Sequence, residues 1–216
     1  MKYSVIGDAN QSVIAELSNG DEIHGDVAMM VLLTDGVALE PAYFGASHDP
    51  SRLQELNAPV PLTHFRCMSS LGVVGFSARC CGVMRKLELH GKSWICARDA
   101  LLFCTRDVVS TIGIIHPCDN AYFRAKGCVF YRLSGHGDAF IHCGGSSIEY
   151  DLAPGQRVSA EIGCVAAFED TVKSGVELVE GLPAASGEVS PVFLMTLTGP
   201  GKIYLATLPL SRVGGK

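Results

Sequence analysis

Two stretches with the same glycine spacing constrain the fold of this 216-residue chain more than any other feature. The first, VFYRLSGHGDAFIHCGG, spans residues 129–145, and the second, VFLMTLTGPGKIYLAT, spans residues 192–207. In each stretch an apolar run leads through Ser or Thr into Gly-x-Gly, and a second apolar run follows. Branched and aromatic residues favour strands, and glycine accepts the positive φ of tight turns. The pattern therefore predicts a β-hairpin in each stretch.

A second recurring unit alternates with the first. Turn glycines at Gly20, Gly91 and Gly155 each separate two apolar runs, and a worn copy of the Gly-x-Gly unit is centred on Gly72. We interpret the chain as three tandem β repeats, because small units that recur in this way bury their apolar faces against one another. The approximate repeats are 13–78, 87–143 and 148–207.

This alternation predicts one all-β domain over residues 1–216, built as an antiparallel β-sandwich. Helical periodicity is nearly absent from the sequence. The one helix candidate is DPSRLQELN, at 49–57, where Asp49 is placed to cap the first turn and Pro59 follows the end.

Four segments carry a resemblance to a known family. In chain order they read WICARDALL, RLSGHGDAFIHCGG, DLAPGQRVSAEIGCVAAFED and FLMTLTGPGKIYLATLP. They resemble the altered-inheritance-of-mitochondria (AIM24-type) family of unknown function. The resemblance implies a jelly-roll-like β-sandwich related to the tryptophan-RNA-attenuation protein, trimeric assembly and no established enzymatic activity. The Gly-rich runs common in that family are replaced here by segments such as 41–61 and 117–120.

Composition excludes several classes of protein. Hydrophobic residues make up 48% and charged residues 18% of the chain, which favours a compact folded protein. A net charge of −5 argues against a general nucleic-acid binder. No apolar run reaches the length of a transmembrane helix, and the first residues, MKYSVIGDAN, do not resemble a signal peptide.

The cysteines indicate a reducing compartment. Their number, nine, is odd, and no Cys-x-x-Cys pair occurs, so we expect a cytoplasmic protein with unpaired thiols. Six of them lie in apolar runs and are expected to be buried: Cys67, Cys96, Cys104, Cys128, Cys143 and Cys164.

A cupin-like metal site is the sharpest enzymatic alternative. Gly137, His142, Glu149 and Gly155 have nearly the spacing of the first cupin motif. That chemistry needs two histidines separated by one residue, so that both imidazoles point to the same strand face. Gly144 stands where the second histidine belongs, which leaves His142 and Glu149 as candidate ligands only if this alternative holds.

Other reactive groups form no complete set in the sequence. A zinc site from His64, Cys67, Cys80 and Cys81 is disfavoured because adjacent cysteines in a strand point to opposite faces. His116-Pro117-Cys118 is interpreted as a loop. The pairs Glu169-Asp170 and Arg98-Asp99 are typical of strand ends and turns rather than of acid–base catalysis. No phosphate-binding loop or serine-hydrolase elbow occurs.

Three functions remain open. The first is a non-enzymatic oligomeric β-scaffold that binds a protein or a small molecule, with no catalytic residue and no cofactor. The second is a divergent cupin-like, metal-dependent enzyme. The third is RNA binding by fold analogy, which the acidic balance and the single Trp disfavour.

Overall fold

The computed structural model describes residues 1–41, 60, 62–116, 128–179 and 192–209. Over these residues the chain forms nineteen β-strands and three single-turn 3₁₀ helices, and it contains no α-helix. The all-β prediction is therefore confirmed. The helix predicted at 49–57 lies outside the described residues.

The strands follow strand β1 (Lys2–Ile6) in three sets of six. The first set is β2 (Ser12–Ser18), β3 (Glu22–Gly25), β4 (Met30–Leu33), β5 (Val37–Glu40), β6 (Thr63–Cys67) and β7 (Leu71–Ser77). The second set is β8 (Gly82–Glu88), β9 (Trp94–Ala97), β10 (Leu101–Thr105), β11 (Val108–His116), β12 (Cys128–Gly135) and β13 (Asp138–Gly144). The third set is β14 (Ser147–Leu152), β15 (Arg157–Glu161), β16 (Val165–Glu169), β17 (Lys173–Val179), β18 (Val192–Thr198) and β19 (Gly201–Ala206).

Among the described residues these strands pair into four antiparallel sheets, which we call A to D. Sheet A has the order β1-β2-β7-β4, and sheet B has the order β5-β6-β3-β10-β13-β8. Sheet C has the order β11-β12-β9-β16-β19-β14, and sheet D has the order β15-β18-β17. Each of the inner sheets, B and C, thus takes three strands from one set and three from the next.

Three apolar cores show that the sheets are stacked in the order A, B, C, D. Phe65, Phe76 and Phe103 belong to the core between sheets A and B. Side chains such as Leu133 fill the core between sheets B and C, and Phe168 lies between sheets C and D. Because full burial of such a side chain contributes about 1.5–3 kcal/mol, all three cores stabilise the stack.

The predicted Gly-x-Gly hairpins are wrong, because the strands on either side of the motif lie in different sheets. Strand β12 belongs to sheet C and β13 to sheet B, and β18 and β19 are divided between sheets D and C in the same way. Gly135 and Gly137 do have positive φ, of 109° and 136°. The motif therefore forms a corner at which the chain changes layer, a junction that local sequence does not distinguish from a hairpin.

The turn glycines of the second recurring unit are arranged alike. Gly20, Gly91 and Gly155 have φ values of 84°, 82° and 77°, and each precedes a strand in the next sheet of the stack. A 3₁₀ helix then leads back to the previous sheet. These helices are Val27–Met29, Arg98–Ala100 and Ile162–Cys164.

The cysteine prediction is confirmed at four positions. Cys67, Cys96, Cys104 and Cys143 are buried and form no disulfide, whereas Cys164 is only half-buried. The side chain of Cys128 lies outside the described residues. Burial raises the pKa of the Cys104 thiol to about 12, with the neighbouring Ser110 hydroxyl opposing the shift, so this thiol stays protonated at neutral pH.

Candidate functional site

Four polar side chains meet on one face of sheet B. Glu22 and His24 alternate along β3, and His64 and Arg66 alternate along β6, so all four point to the same side of the sheet. The antiparallel register places Glu22 opposite Arg66 and His24 opposite His64. We call these four residues the Glu22 cluster. The residues between them, Ile23 and Phe65, point the other way into the core between sheets A and B.

Glu22 is the centre of the cluster. Its side chain is only 5% exposed, and one carboxylate oxygen, Oε1, is hydrogen-bonded to His24 Nε2 at 2.9 Å and lies 3.0 Å from His64 Nδ1. The other oxygen, Oε2, accepts from Arg66 Nε at 3.1 Å and from the terminal Nη2 at 2.9 Å. The two imidazole rings are stacked, with centroids 4.0 Å apart. Every donor in the cluster therefore points at a single carboxylate.

These contacts fix the protonation states at the centre of the cluster. Burial tends to raise the pKa of Glu22, but hydrogen bonds from His24 and Arg66 and the guanidinium charge outweigh it and lower the pKa to about 2. Burial lowers the pKa of His24, and although the bond to Glu22 opposes this shift, the charges of His64 and Arg106 reinforce it. At neutral pH the cluster therefore holds an ionised carboxylate beside a neutral imidazole.

The cluster has the donor atoms of a metal site. One oxygen of Glu22 and one ring nitrogen each of His24 and His64 all lie within 4.8 Å of one another. Among the described residues, this is the one group of three or more such side chains that meets this spacing. Two imidazoles and one carboxylate form a donor set that suits Zn²⁺ and related transition-metal ions.

A cleft lies next to the cluster, beyond the ends of β3 and β6. It has a volume of 230 Å³ and is lined by residues of both inner sheets: Gly25, Asp26, Leu62, Thr63, Arg98, Asp99 and Tyr131 among them. Its charged groups already have partners, since Asp26 Oδ1 accepts from Ala28 N at 2.8 Å and Arg98 Nε donates to Asp99 at 3.2 Å. The cleft has room for a small polar ligand but no unused charged group.

The structure places His142 and Glu149 in different sheets. His142, on β13 of sheet B, is 1% exposed, and its Nδ1 lies 3.9 Å from Cys80 Sγ. Burial lowers the pKa of this imidazole. Glu149, on β14 of sheet C, is exposed and forms an ion pair with Lys202. His142 and Glu149 thus lie in different sheets and contact different side chains, Cys80 and Lys202.

The other candidates are also separated. Cys67 lies in the core between sheets A and B, on the opposite face of β6 from His64, and Cys81 is exposed. Glu169 and Asp170 have different partners, since Glu169 binds Lys92 and Asp170 binds Arg132. His116-Pro117-Cys118 lies outside the described side chains.

Comparison with known proteins identifies the family of this chain. Residues 3–208, nearly the whole chain, match the sequence model of a family described as mitochondrial biogenesis AIM24. The chain belongs to the AIM24 family. Among curated proteins, no sequence matches it.

A solved structure shares the fold of this chain. The crystal structure of protein SPYM3_0169 from Streptococcus pyogenes superposes with a TM-score of 0.76 over 98% of this chain and 95% of that chain. The two sequences are 18% identical, so the likeness concerns the fold alone. In the described part of this AIM24 chain, no helix has the length and apolarity needed to cross a membrane.

The sequence of this AIM24 chain contains one weak signal of the Glu22 cluster. Glu22-x-His24 and His64-x-Arg66 are alternating polar pairs, and such alternation places side chains on one strand face. What the sequence lacks is the pairing of β3 with β6, which brings together residues about 40 positions apart. No motif predicts that pairing, so Glu22, His24 and Arg66 were missed.

Proposed function

We propose that this AIM24-family chain is a non-enzymatic β-scaffold that assembles with further copies of itself through the outer face of sheet A. The observation that carries the proposal is a difference between the two outermost layers of the stack. The outer face of sheet A carries exposed Val, Leu and Ile side chains among its polar residues, whereas Thr, Ser, Arg and Glu side chains predominate on the outer face of sheet D. Soluble proteins seldom leave aliphatic side chains on several neighbouring strands in contact with water.

The aliphatic face is formed by all four strands of sheet A. Val31 and Leu71 are 60% and 59% exposed. Leu32 is exposed beside Val31, and Ile6 is exposed at the other end of the sheet from Leu71. Gly75, at the centre of the face, has Ile14 opposite it on β2 and Leu32 opposite it on β4. Because Gly75 has no side chain, the aliphatic side chains of Ile14 and Leu32 cover the middle of the sheet.

The outer face of sheet D has the opposite character. The central strand β18 contributes Thr196 and Thr198, which lie opposite Ser159 and Arg157 of β15. Arg157 also forms an ion pair across the face with Glu177 of β17. Polar and paired charged side chains of this kind remain stable in contact with water, so this face needs no partner.

A second copy of the chain fits the aliphatic face better than a charged partner does. The chain carries a net charge of −5, so two copies repel each other wherever their charged surfaces meet. Contact through the aliphatic side chains limits that cost, because the charged residues of this face, Lys2 and Glu16, lie opposite each other in register. The contact also buries the exposed Val, Leu and Ile side chains. A single face packed on its own copy closes as a dimer, whereas a trimer joins two different surfaces. The mass of the assembly therefore distinguishes such a dimer from the trimer that the family resemblance implies.

The test is the mass of the purified full chain by size-exclusion chromatography with light scattering. We expect a dimer or trimer for the natural sequence and a shift toward monomer for the double variant Val31→Asp/Leu71→Asp. The matched control is Ser159→Asp on the outer face of sheet D, which should keep the natural mass. A monomeric natural chain, or a folded double variant of unchanged mass, contradicts the proposal. Circular dichroism verifies that each variant is folded.

The compartment and repeat organisation belong to the same proposal. Buried, unpaired thiols at Cys67, Cys96, Cys104 and Cys143 support a reducing, cytoplasmic environment. The identical order of layers in the three strand sets supports an origin by repetition of a six-strand unit. Because consecutive sets share sheets B and C, we treat the whole stack as a single domain.

A further inference from the structure

The Glu22 cluster supports a second role that is independent of the sheet A face. We propose that Glu22 Oε1, His24 Nε2 and His64 Nδ1 form a three-ligand site for Zn²⁺ or a similar divalent transition-metal ion. Three features of the cluster support this site: the spacing of the ligand atoms, the contacts of Arg66 that orient Glu22, and the partial exposure of the histidines.

Two of the three distances between ligand atoms are close to those that a zinc ion requires. Bonds of about 2.0–2.2 Å from zinc to nitrogen and oxygen place neighbouring ligand atoms roughly 3.0–3.5 Å apart. Glu22 Oε1 lies 2.9 Å from His24 Nε2 and 3.0 Å from His64 Nδ1. The third pair, one ring nitrogen each of His24 and His64, lies within 4.8 Å. His24 reaches the carboxylate along β3, and His64 reaches it from the neighbouring strand β6.

The protons on the imidazoles can be rearranged without breaking other contacts within the cluster. Glu22 Oε1 is hydrogen-bonded to His24 Nε2 and lies 3.0 Å from His64 Nδ1. To bind a metal, each neutral ring must carry its proton on the other nitrogen, so that a lone pair faces the ion. Glu22 contributes a lone pair of Oε1, and no covalent bond or electron transfer is involved.

Arg66 positions the carboxylate for this task. Its Nε and Nη2 both donate to Glu22 Oε2, which leaves Oε1 as the ligand oxygen and prevents rotation of the carboxylate. Groups that hold a ligand in this way typically change metal affinity by about 10- to 100-fold when removed. The cation of Arg66 also offsets the charge of Glu22, which disfavours Mg²⁺ and Ca²⁺ and favours ions that bind imidazole.

The site has an open side. The His64 side chain is 28% exposed, and Arg66 reaches the solvent, whereas Glu22 is buried behind them. With three protein ligands, a tetrahedral ion retains one position for water or for an anionic group of a partner. The positive charges of Arg66 and Arg106 beside the cluster favour an anion at that position.

Isothermal titration of the metal-free full chain with Zn²⁺ tests the proposal. We expect one ion per chain, with affinity reduced by about 100-fold or more in His24→Ala and His64→Ala. The matched control is His90→Ala, since His90 is an exposed histidine outside the cluster and its loss should leave the affinity unchanged. Thermal unfolding followed by circular dichroism shows that each variant is folded.

Cobalt substitution distinguishes this site from binding by the nine cysteines. Co²⁺ held by two imidazoles and a carboxylate gives visible d–d bands without the near-ultraviolet charge-transfer band of a cobalt–thiolate bond. A thiolate band, Zn²⁺ affinity unchanged in both cluster variants, or no stoichiometric binding to the natural chain overturns the proposal. The conservative variant Glu22→Gln keeps an oxygen in place and should weaken binding less than the histidine variants do.

Discussion

Glu169 shows how one carboxylate can join three segments of the chain. It lies at the end of β16, where Oε1 accepts from Lys92 Nζ at 2.7 Å and Oε2 accepts from the backbone N–H of Lys202 at 3.1 Å. Burial alone would raise the pKa of Glu169, but these two hydrogen bonds and the lysine charges lower it. The Glu169-Asp170 pair therefore has a structural role: it holds neighbouring segments of the chain together at the end of β16 in sheet C.

This lowered pKa predicts a pH-dependent loss of stability in Glu169→Gln. The ionised carboxylate stabilises the folded state fully above the unfolded pKa of roughly 4.3, and the contribution is lost as the pH falls through the lower folded pKa. We expect the variant to lose about 1 kcal/mol of unfolding free energy at pH 7, and less at pH 3. Urea titrations at both pH values measure the difference. Asp8→Asn, an exposed position in the turn between β1 and β2, is the control, and an equal loss at both pH values would contradict the assignment.

At the scale of an element, the Gly135-Gly137 corner is the feature that local sequence describes least well. Gly137 has φ +136°, and a Cβ at this position would collide with Thr105 Oγ1 of β10. The same Thr105 hydroxyl accepts a hydrogen bond from Asp138 N at 3.1 Å. The corner is thus a close contact between the chain and the neighbouring strand, in addition to a change of direction.

We therefore expect Gly137→Ala to lower the free energy of unfolding by about 2–4 kcal/mol, through backbone strain and loss of the Thr105 contact. Gly91→Ala is the matched comparison, because Gly91 has φ +82° with open space around its Cβ position, and it should cost about 1 kcal/mol. Denaturant titrations measure both losses. If steric contact contributes, Thr105→Ala introduced into Gly137→Ala should restore part of the stability. Equal losses at Gly91 and Gly137 would refute the steric explanation.

The elements also show what the sequence could and could not predict. Strand character and the turns at Gly20, Gly91 and Gly155 followed from side-chain type and glycine spacing, which are local properties. The separation of β12 and β13 into different sheets did not, because apolar strands on either side of a glycine pair are compatible with both arrangements. The Glu22 cluster was missed for a related reason: its two halves meet only through the pairing of β3 with β6.

At the scale of the whole molecule, the shared inner sheets predict cooperative unfolding. No set of six strands can leave the stack without breaking sheet B or sheet C, since consecutive sets are hydrogen-bonded within those sheets. The single Trp, Trp94, lies in the core between sheets B and C and stacks on Tyr204. Its fluorescence thus reports on the middle of the molecule, whereas far-ultraviolet circular dichroism reports on all strands.

We expect both signals to change at the same denaturant concentration. The variant Leu17→Ala, in the core between sheets A and B, should destabilise by about 2–5 kcal/mol and move the Trp94 transition as much as the circular dichroism transition. Leu133→Ala, in the core that contains Trp94, is the comparison. A Trp94 transition that is shifted by Leu133→Ala but not by Leu17→Ala would mean that the layers unfold separately.

The sheets of the stack follow one another in chain order, from sheet A to sheet D. Each set of strands completes a sheet begun by the set before it and begins a sheet for the set after it, so geometry alone sets no limit on the number of layers. Sheet D has three strands in the described part of the chain, half the number of strands in sheet B or sheet C. Arg157 and Ser159 are exposed on its outer face and disfavour a further layer, because the layer would remove both side chains from water. A longer protein of the same design would first have to replace these two side chains with apolar ones.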